Sequence, residues 1–111
     1  INRDFNKLNV LADKLKELKS DTEILIDNII DYDISEYDYV INATSLGLKD
    51  NKDLIFDVKK TKTDCTIVDI VMDPEETILI KEAMKYKRNY HLGKNMLKSQ
   101  IKLTGNFFNL W

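Results

Sequence analysis

The sequence predicts an α/β fold with a mostly parallel sheet flanked by helices. Three observations favour this class. The 111 residues are enough for one domain; short apolar runs alternate with amphipathic stretches along the chain; and small polar residues directly follow the apolar runs. Strands that alternate with helices typically form parallel sheets, because each parallel pair needs a crossover connection.

The first predicted element is an amphipathic helix from Phe5 to Leu18. Asp4 stands at the N-cap position, where its carboxylate can accept hydrogen bonds from the free amides of the first turn. Residues 22–26 are rich in β-branched side chains and predict a short strand, and residues 31–38 predict a loop with a short helical turn. The apolar residues of the helix recur at helical spacing: Leu8, Leu11, Ala12, Leu15 and Leu18.

Two later apolar runs predict buried parallel strands, at residues 39–41 and 66–72. The dipeptide Asp73-Pro74 after the second run predicts the start of a helix that continues to about Lys87. Residues 89–92 predict a last short strand, and residues 94–111 predict a final helix. We expect the apolar side chains of this helix to be buried: Met96, Leu97, Ile101, Leu103, Phe107, Phe108 and Leu110.

Composition and charge exclude several functional classes. The net charge is −2, with 17 basic and 19 acidic side chains interspersed, which argues against a protein that neutralises a nucleic-acid backbone. No apolar run approaches the roughly 20 residues of a membrane span. Cys65 is the one cysteine and can form neither an internal disulfide nor a thiol-rich metal site. We therefore expect a cytoplasmic protein without a metal site.

Glycine is scarce. The chain has 3 glycines, against about eight at average usage. Gly47, Gly93 and Gly105 lie too far apart for a G-x-G-x-x-G or Walker sequence. No such glycine-rich loop within these residues cradles a phosphate group.

The residues that follow the predicted strands carry a family resemblance. In open α/β sheets, ligands bind beyond the carboxyl ends of the strands. Here the motifs N-R (2–3), N-A-T-S-x-G (42–47), D-x-x-x-x-P-x-x-T (69–77), G-x-x-M-L-x-x-Q (93–100) and F-x-L-W (108–111) follow one another. This ordered set resembles the cofactor-binding half of the shikimate dehydrogenase family, which includes quinate-using relatives, along essentially the whole chain.

The resemblance implies an oxidoreductase that reduces 3-dehydroshikimate to shikimate with NADPH, in aromatic amino-acid (chorismate) biosynthesis. It implies that residues 1–111 are the C-terminal part of a Rossmann-like NAD(P)-binding domain. We expect the family's N-terminal catalytic domain, first strand and glycine-rich loop to be absent, which would explain the low glycine content. We expect no catalytic residue in this chain, because the family's lysine and aspartate belong to that other domain, and we expect the isolated chain to be inactive.

The resemblance also implies how the chain recognises its cofactor. Arg3, with Asn2 beside it, is implied to pair with the adenosine 2′-phosphate of NADP. The family usually has a threonine where this chain has Asp4. The charge of Asp4 could repel that phosphate, accept from a ribose hydroxyl, or serve only to cap the helix. NADP is therefore the expected cofactor, and NAD stays open.

The remaining implied site residues line the nicotinamide and substrate side. Gln100 matches a glutamine that hydrogen-bonds the substrate. Met72 stands where the family places a tyrosine whose hydroxyl reaches the substrate, and a thioether cannot donate a hydrogen bond. A quinate-preferring enzyme therefore stays open. The implied cofactor-groove residues are Asn42, Ala43, Thr44, Ser45, Ile70 and Gly93.

Two expectations concern partners. The implied substrate is a small molecule, shikimate or 3-dehydroshikimate, and we expect neither nucleic acid nor membrane as a partner. Without the family's first strand, the strand at residues 39–41 would keep an unpaired edge. We expect association through that edge, with the rest of the enzyme or between copies as a homodimer. The rival hypothesis is a non-enzymatic interaction module that retains the nucleotide fold.

Overall fold

The computed structural model describes residues 4–18, 21–27, 32–49 and 53–111. The chain divides into two compact units, Ile1–Asp33 and Ile34–Trp111.

The first unit contains the helix α1, Phe5–Leu18, with the bounds that the sequence predicts. Asp4 begins it, since its carboxylate Oδ1 accepts from the Lys7 amide at 3.2 Å. Only Leu8 and Ala12 of the predicted apolar face are buried; the leucines at 11, 15 and 18 are exposed. The strand predicted at residues 22–26 is wrong: residues 23–27 take no regular structure, and no described strand pairs with them.

The second unit is built on a parallel sheet of 3 strands in the order β1-β2-β3. The strands are β1 (Tyr39–Asn42), β2 (Thr66–Asp69) and β3 (Asn89–His91). A short 3₁₀ helix, Val58–Lys60, precedes β2. The helices α2 (Ile78–Lys85) and α3 (Gly93–Phe107) follow β2 and β3. The predicted fold class, a partial Rossmann-like sheet that is mostly parallel and flanked by helices, is confirmed.

The core of this unit lies between the central strand β2 and the helix α2. Ile67 of β2 is fully buried and packs with Leu79 and Ala83 of α2. Val58 and Cys65 complete this buried cluster. In the described part of the chain, no helix is both long and apolar enough to cross a membrane.

The structure corrects the ends of several predicted elements. The final helix, predicted at residues 94–111, spans Gly93–Phe107, and α2 ends at Lys85 and not at about Lys87. β2 ends at Asp69 and not at Met72, because the Val71 amide turns back to donate to Asp69 Oδ1 at 3.0 Å and leaves the sheet. α2 begins at Ile78 and not at Asp73-Pro74, because Thr77 is its N-cap and its hydroxyl accepts from the Ile80 amide at 3.3 Å.

The predicted burial of the apolar side chains in residues 94–111 is wrong. The buried residues of α3 are Gly93 and Gly105. The apolar residues expected inside are each at least 40% exposed. Periodicity reveals that a helix has an apolar face, but it does not reveal whether these residues supply anything to cover that face. The residues that were expected to be buried and are exposed are Met96, Leu97, Ile101, Leu103, Phe107, Phe108 and Leu110.

Candidate functional site

A buried polar cluster lies at the carboxyl ends of β1 and β2. Asn42 is the last residue of β1, Asp69 is the last residue of β2, and the two are direct partners in the parallel register. Thr77, eight residues after Asp69, caps α2. All three side chains are buried, and those of Asp69 and Thr77 are 0% exposed.

The carboxylate of Asp69 accepts three hydrogen bonds within this cluster. Oδ1 accepts from Asn42 Nδ2 at 3.1 Å and from the Val71 amide at 3.0 Å. Oδ2 accepts from Thr77 Oγ1 at 2.7 Å. A buried carboxylate is costly unless donors satisfy it, and here donors from the end of β1, the loop after β2 and a helix cap do so.

The loop after β1 is organised around the side chain of Asn42. Its Oδ1 accepts from the Thr44 amide at 3.0 Å and from the Thr44 hydroxyl at 2.8 Å. Its Nδ2 donates to the Leu46 carbonyl at 3.0 Å as well as to Asp69. This pattern fixes the orientation of the amide and leaves Ala43, Thr44 and Ser45 exposed at the sheet edge.

Two glycines allow the loops at this edge to approach one another. Gly47 has a φ of 92°, in the region that glycine tolerates, and a Cβ there would lie 3.4 Å from Thr77 Cβ. A Cβ on Gly93 would lie 2.5 Å from the Ile70 carbonyl oxygen and 2.6 Å from that of Val71. The start of α3 therefore lies directly against the loop after β2.

The structure brings together one group of the predicted site residues. Asn42 ends β1 and is followed by Ala43, Thr44 and Ser45; Ile70 follows β2, and Gly93 begins α3 after β3. These residues share the carboxyl edge of the sheet. The Lys94 ammonium pairs with Glu75 and adds a link between α3 and the loop after β2.

Of the other predicted site residues, Met72 lies in the same loop as Ile70, and the rest lie elsewhere or outside the described residues. Asp4 caps α1 in the first unit, and Asn2 and Arg3 lie outside the described residues. Met72, in the loop after β2, is 48% exposed. Gln100 is exposed on α3, seven residues after Gly93.

Sequence reasoning missed Asp69 and Thr77 as organisers of the site. Both belong to the D-x-x-x-x-P-x-x-T motif, which served only to identify the family. A local signal was present, because Asp69 interrupts the apolar run of residues 66–72. A carboxylate in such a run is rarely buried without a partner. Here Asn42 and Thr77 each donate a hydrogen bond to it.

Comparison with known proteins identifies relatives of the chain. No family model matches it. The shikimate dehydrogenase (NADP(+)) of Methanococcus maripaludis is 31% identical over 100% of this chain and 39% of its own length. The corresponding protein of Methanobrevibacter smithii is 34% identical over 90% of this chain and 37% of its own length. The chain thus spans about two fifths of the length of these curated relatives.

A solved structure agrees with these relatives. The quinate dehydrogenase from Corynebacterium glutamicum in complex with NAD superimposes with a TM-score of 0.77 and 26% identity, over 85% of this chain and 34% of that protein. The resemblance seen in the motifs is confirmed in both sequence and fold. The chain belongs to the shikimate and quinate dehydrogenase family.

Proposed function

We propose that the chain is the cofactor-binding part of a dehydrogenase that reduces 3-dehydroshikimate to shikimate with NADPH. The observation that carries this proposal is the 31% identity to a shikimate dehydrogenase (NADP(+)) over the whole chain. The NAD in the quinate dehydrogenase structure supports the alternative, a quinate-using enzyme with NAD.

In this proposal the exposed loop of Ala43, Thr44 and Ser45 lines the cofactor groove. Its small side chains allow a nucleotide to approach the backbone. Ile70 and Gly93, in contact at the next loop, lie beside the nicotinamide. Bound NADPH supplies the hydride, and these residues orient the nucleotide and exclude water from one side of it.

The proposal assigns binding roles, and no catalytic role, to residues 1–111. Arg3 and Asn2 hold the adenosine 2′-phosphate, and Gln100 donates to the substrate. Met72 offers no hydroxyl to the substrate. The lysine near the developing oxyanion belongs to a catalytic domain of the complete enzyme. We infer a cytoplasmic place in aromatic amino-acid biosynthesis, which the buried free thiol of Cys65 fits.

The proposal is tested by titrating NADP into the isotopically labelled chain and following its amide signals by NMR. We expect shifts at Ala43, Thr44, Ser45 and Gly93, and weaker shifts with NAD. Shifts confined to other surfaces, or none at millimolar NADP, would contradict the proposal. A parallel assay of NADP-dependent shikimate oxidation should show no turnover by the 111 residues alone; measurable turnover would contradict the absence of a catalytic group.

We also infer that β1 associates with another strand through its free side. In the described residues β1 pairs with β2 alone. The carbonyls of Asp38 and Asn42 face β2, so the backbone groups of Tyr39 and Ile41 face the other way. Both side chains are exposed.

Light scattering tests this association. We expect the purified chain to self-associate, and we expect I41P to reduce the associated fraction because proline removes an outward donor without touching the bonds to β2. A monodisperse wild-type monomer would count against the inference.

A further inference from the structure

Asp69 is the one side chain that all parts of the described cluster share. It bonds Asn42, which organises the loop at residues 42–47, and it bonds the Val71 amide in the loop at residues 70–77. It also accepts from Thr77, at the start of α2. Without this carboxylate, the Asn42 side-chain amide, the Val71 backbone amide and the Thr77 hydroxyl would each lose a hydrogen-bond acceptor.

Backbone contacts also join the two loops. The Ile70 amide donates to the Asn42 carbonyl at 3.2 Å, and the Lys49 amide donates to the Asp73 carbonyl at 3.2 Å; Gly47 approaches Thr77. The first bond continues the pairing of β1 with β2, and among the described hydrogen bonds Asp69 supplies the side-chain link between the loops. The residues that face the proposed groove, Ala43 to Ser45 and Ile70, directly follow Asn42 and Asp69.

We propose that Asp69 is a positioning residue, which fixes the loop after β1 against the loop after β2 so that both present their groove residues to one nucleotide. Its bonds to Asn42 and Val71 set the spacing of the loops, and its bond to Thr77 anchors that arrangement to α2. The part that concerns the nucleotide rests on the proposed function; the part that concerns the loops does not.

The variant D69N weakens this network without removing the side chain. The neutral asparagine carbonyl accepts more weakly than the carboxylate from Asn42 Nδ2 and the Val71 amide, and its amino group then faces Thr77 Oγ1. That hydroxyl loses its acceptor, while D69A removes the acceptor for all three donors. D64N is the matched control, because Asp64 is exposed and stands before the other end of β2.

The test compares wild type, D69N, D69A and D64N at a temperature below the thermal unfolding midpoint of each protein. Amide hydrogen exchange and NADP titration are the two measurements. In D69N we expect exchange at Val71 and Ile80 to be about tenfold faster, the equivalent of one weakened hydrogen bond to a charged group. The Thr66 amide, which donates to the Asp38 carbonyl at 2.8 Å, should be unchanged. NADP should bind D69N about tenfold more weakly, and D64N should match wild type.

Each outcome decides one of the two proposals. Faster exchange at all amides alike, with an unchanged dissociation constant for the folded chain, would show a merely structural role and overturn the inference. Wild-type exchange and binding in D69N would overturn it as well. If wild type binds no nucleotide, the proposed function fails, and the exchange pattern alone decides whether Asp69 fixes the loops. D69N decides the matter even if D69A does not fold.

Discussion

Asp4 can combine two roles that pull in opposite directions. Its carboxylate caps α1 through the Lys7 amide, and aspartate is among the preferred residues for this. In the proposed function the same charge lies beside the 2′-phosphate of NADP. A helix cap needs only an acceptor, whereas repulsion needs the charge, so the two roles can be separated by one substitution.

We expect D4N to strengthen NADP binding about two- to threefold, because asparagine caps as well as aspartate but removes a partly exposed like charge. The start of α1 should stay at Phe5. Titration with NADP at low salt measures the effect, and titration with NAD, which lacks the 2′-phosphate, is the control. Equal changes for both nucleotides would show that Asp4 does not act on that phosphate.

Gly93 is the glycine whose replacement should cost most. A methyl group there meets the carbonyl oxygens of Ile70 and Val71 at 2.5 and 2.6 Å, and backbone cannot move aside as a side chain can. We expect G93A to lower the free energy of unfolding by about 1–3 kcal/mol, measured by urea denaturation.

Gly105 provides the matched comparison within the same helix. Its added methyl group would meet the ring of Trp111, an exposed side chain that can rotate away. We expect G105A to be neutral or to stabilise by up to about 1 kcal/mol, because alanine favours the helix more than glycine does. A loss in G105A as large as that in G93A would contradict the distinction between backbone and side-chain neighbours.

At the scale of elements, α2 and α3 end in the same way. After α2, the Lys87 amide donates to the Met84 carbonyl and the Arg88 amide to the Ala83 carbonyl, at 3.1 and 2.9 Å. After α3, Asn109 and Leu110 repeat the pattern. These are Schellman motifs, and they require a left-handed residue: Lys87 has a φ of 54° and Asn109 one of 52°.

We expect K87G to raise the free energy of unfolding by about 0.5–1 kcal/mol, because glycine adopts this conformation without the Cβ clash that lysine suffers. Thermal unfolding followed by circular dichroism measures it. N109G is the control and should give a smaller gain, since asparagine already tolerates the left-handed region. An equal gain at both positions would argue that side-chain identity does not matter there.

The sequence predicts the elements better than their ends. The bounds of α1 and the places of β1 and β2 follow from the spacing of apolar residues, whereas all residues of β3 are exposed. The end of β2 and the start of α2 depend on the side chains of Asp69 and Thr77, which capture backbone amides. Apolar spacing carries no information about such bonds, so the cluster that organises the candidate site was the part missed.

At the scale of the whole molecule, Cys65 reports unfolding, because its thiol is 0% exposed in the folded chain and becomes accessible when the chain unfolds. Burial raises the pKa of the Cys65 thiol. The unfolded chain therefore forms the thiolate at a lower pH than the folded chain does. The resulting contribution to stability is fully present below the unfolded pKa of about 8.5 and is lost as the pH rises from there toward the folded pKa.

We expect the free energy of unfolding to fall above about pH 8.5 in wild type more steeply than in C65A, in which the thiol is absent. Urea denaturation between pH 7 and 10 measures the two curves. Alkylation of Cys65 in the native protein should be slow and should accelerate with urea. Parallel curves for the two proteins, or rapid alkylation without urea, would contradict this account.

The position of Trp111 has a practical consequence for all such unfolding measurements. It is the only tryptophan of the chain, it is 71% exposed, and its indole donates to Asn106 Oδ1 at 3.0 Å at the last turn of α3. Its fluorescence therefore reports the fraying of one helix end and not the loss of the core around Ile67. Fluorescence transitions should precede those seen by circular dichroism, and two probes that disagree in this way can mimic a folding intermediate in a domain that unfolds cooperatively.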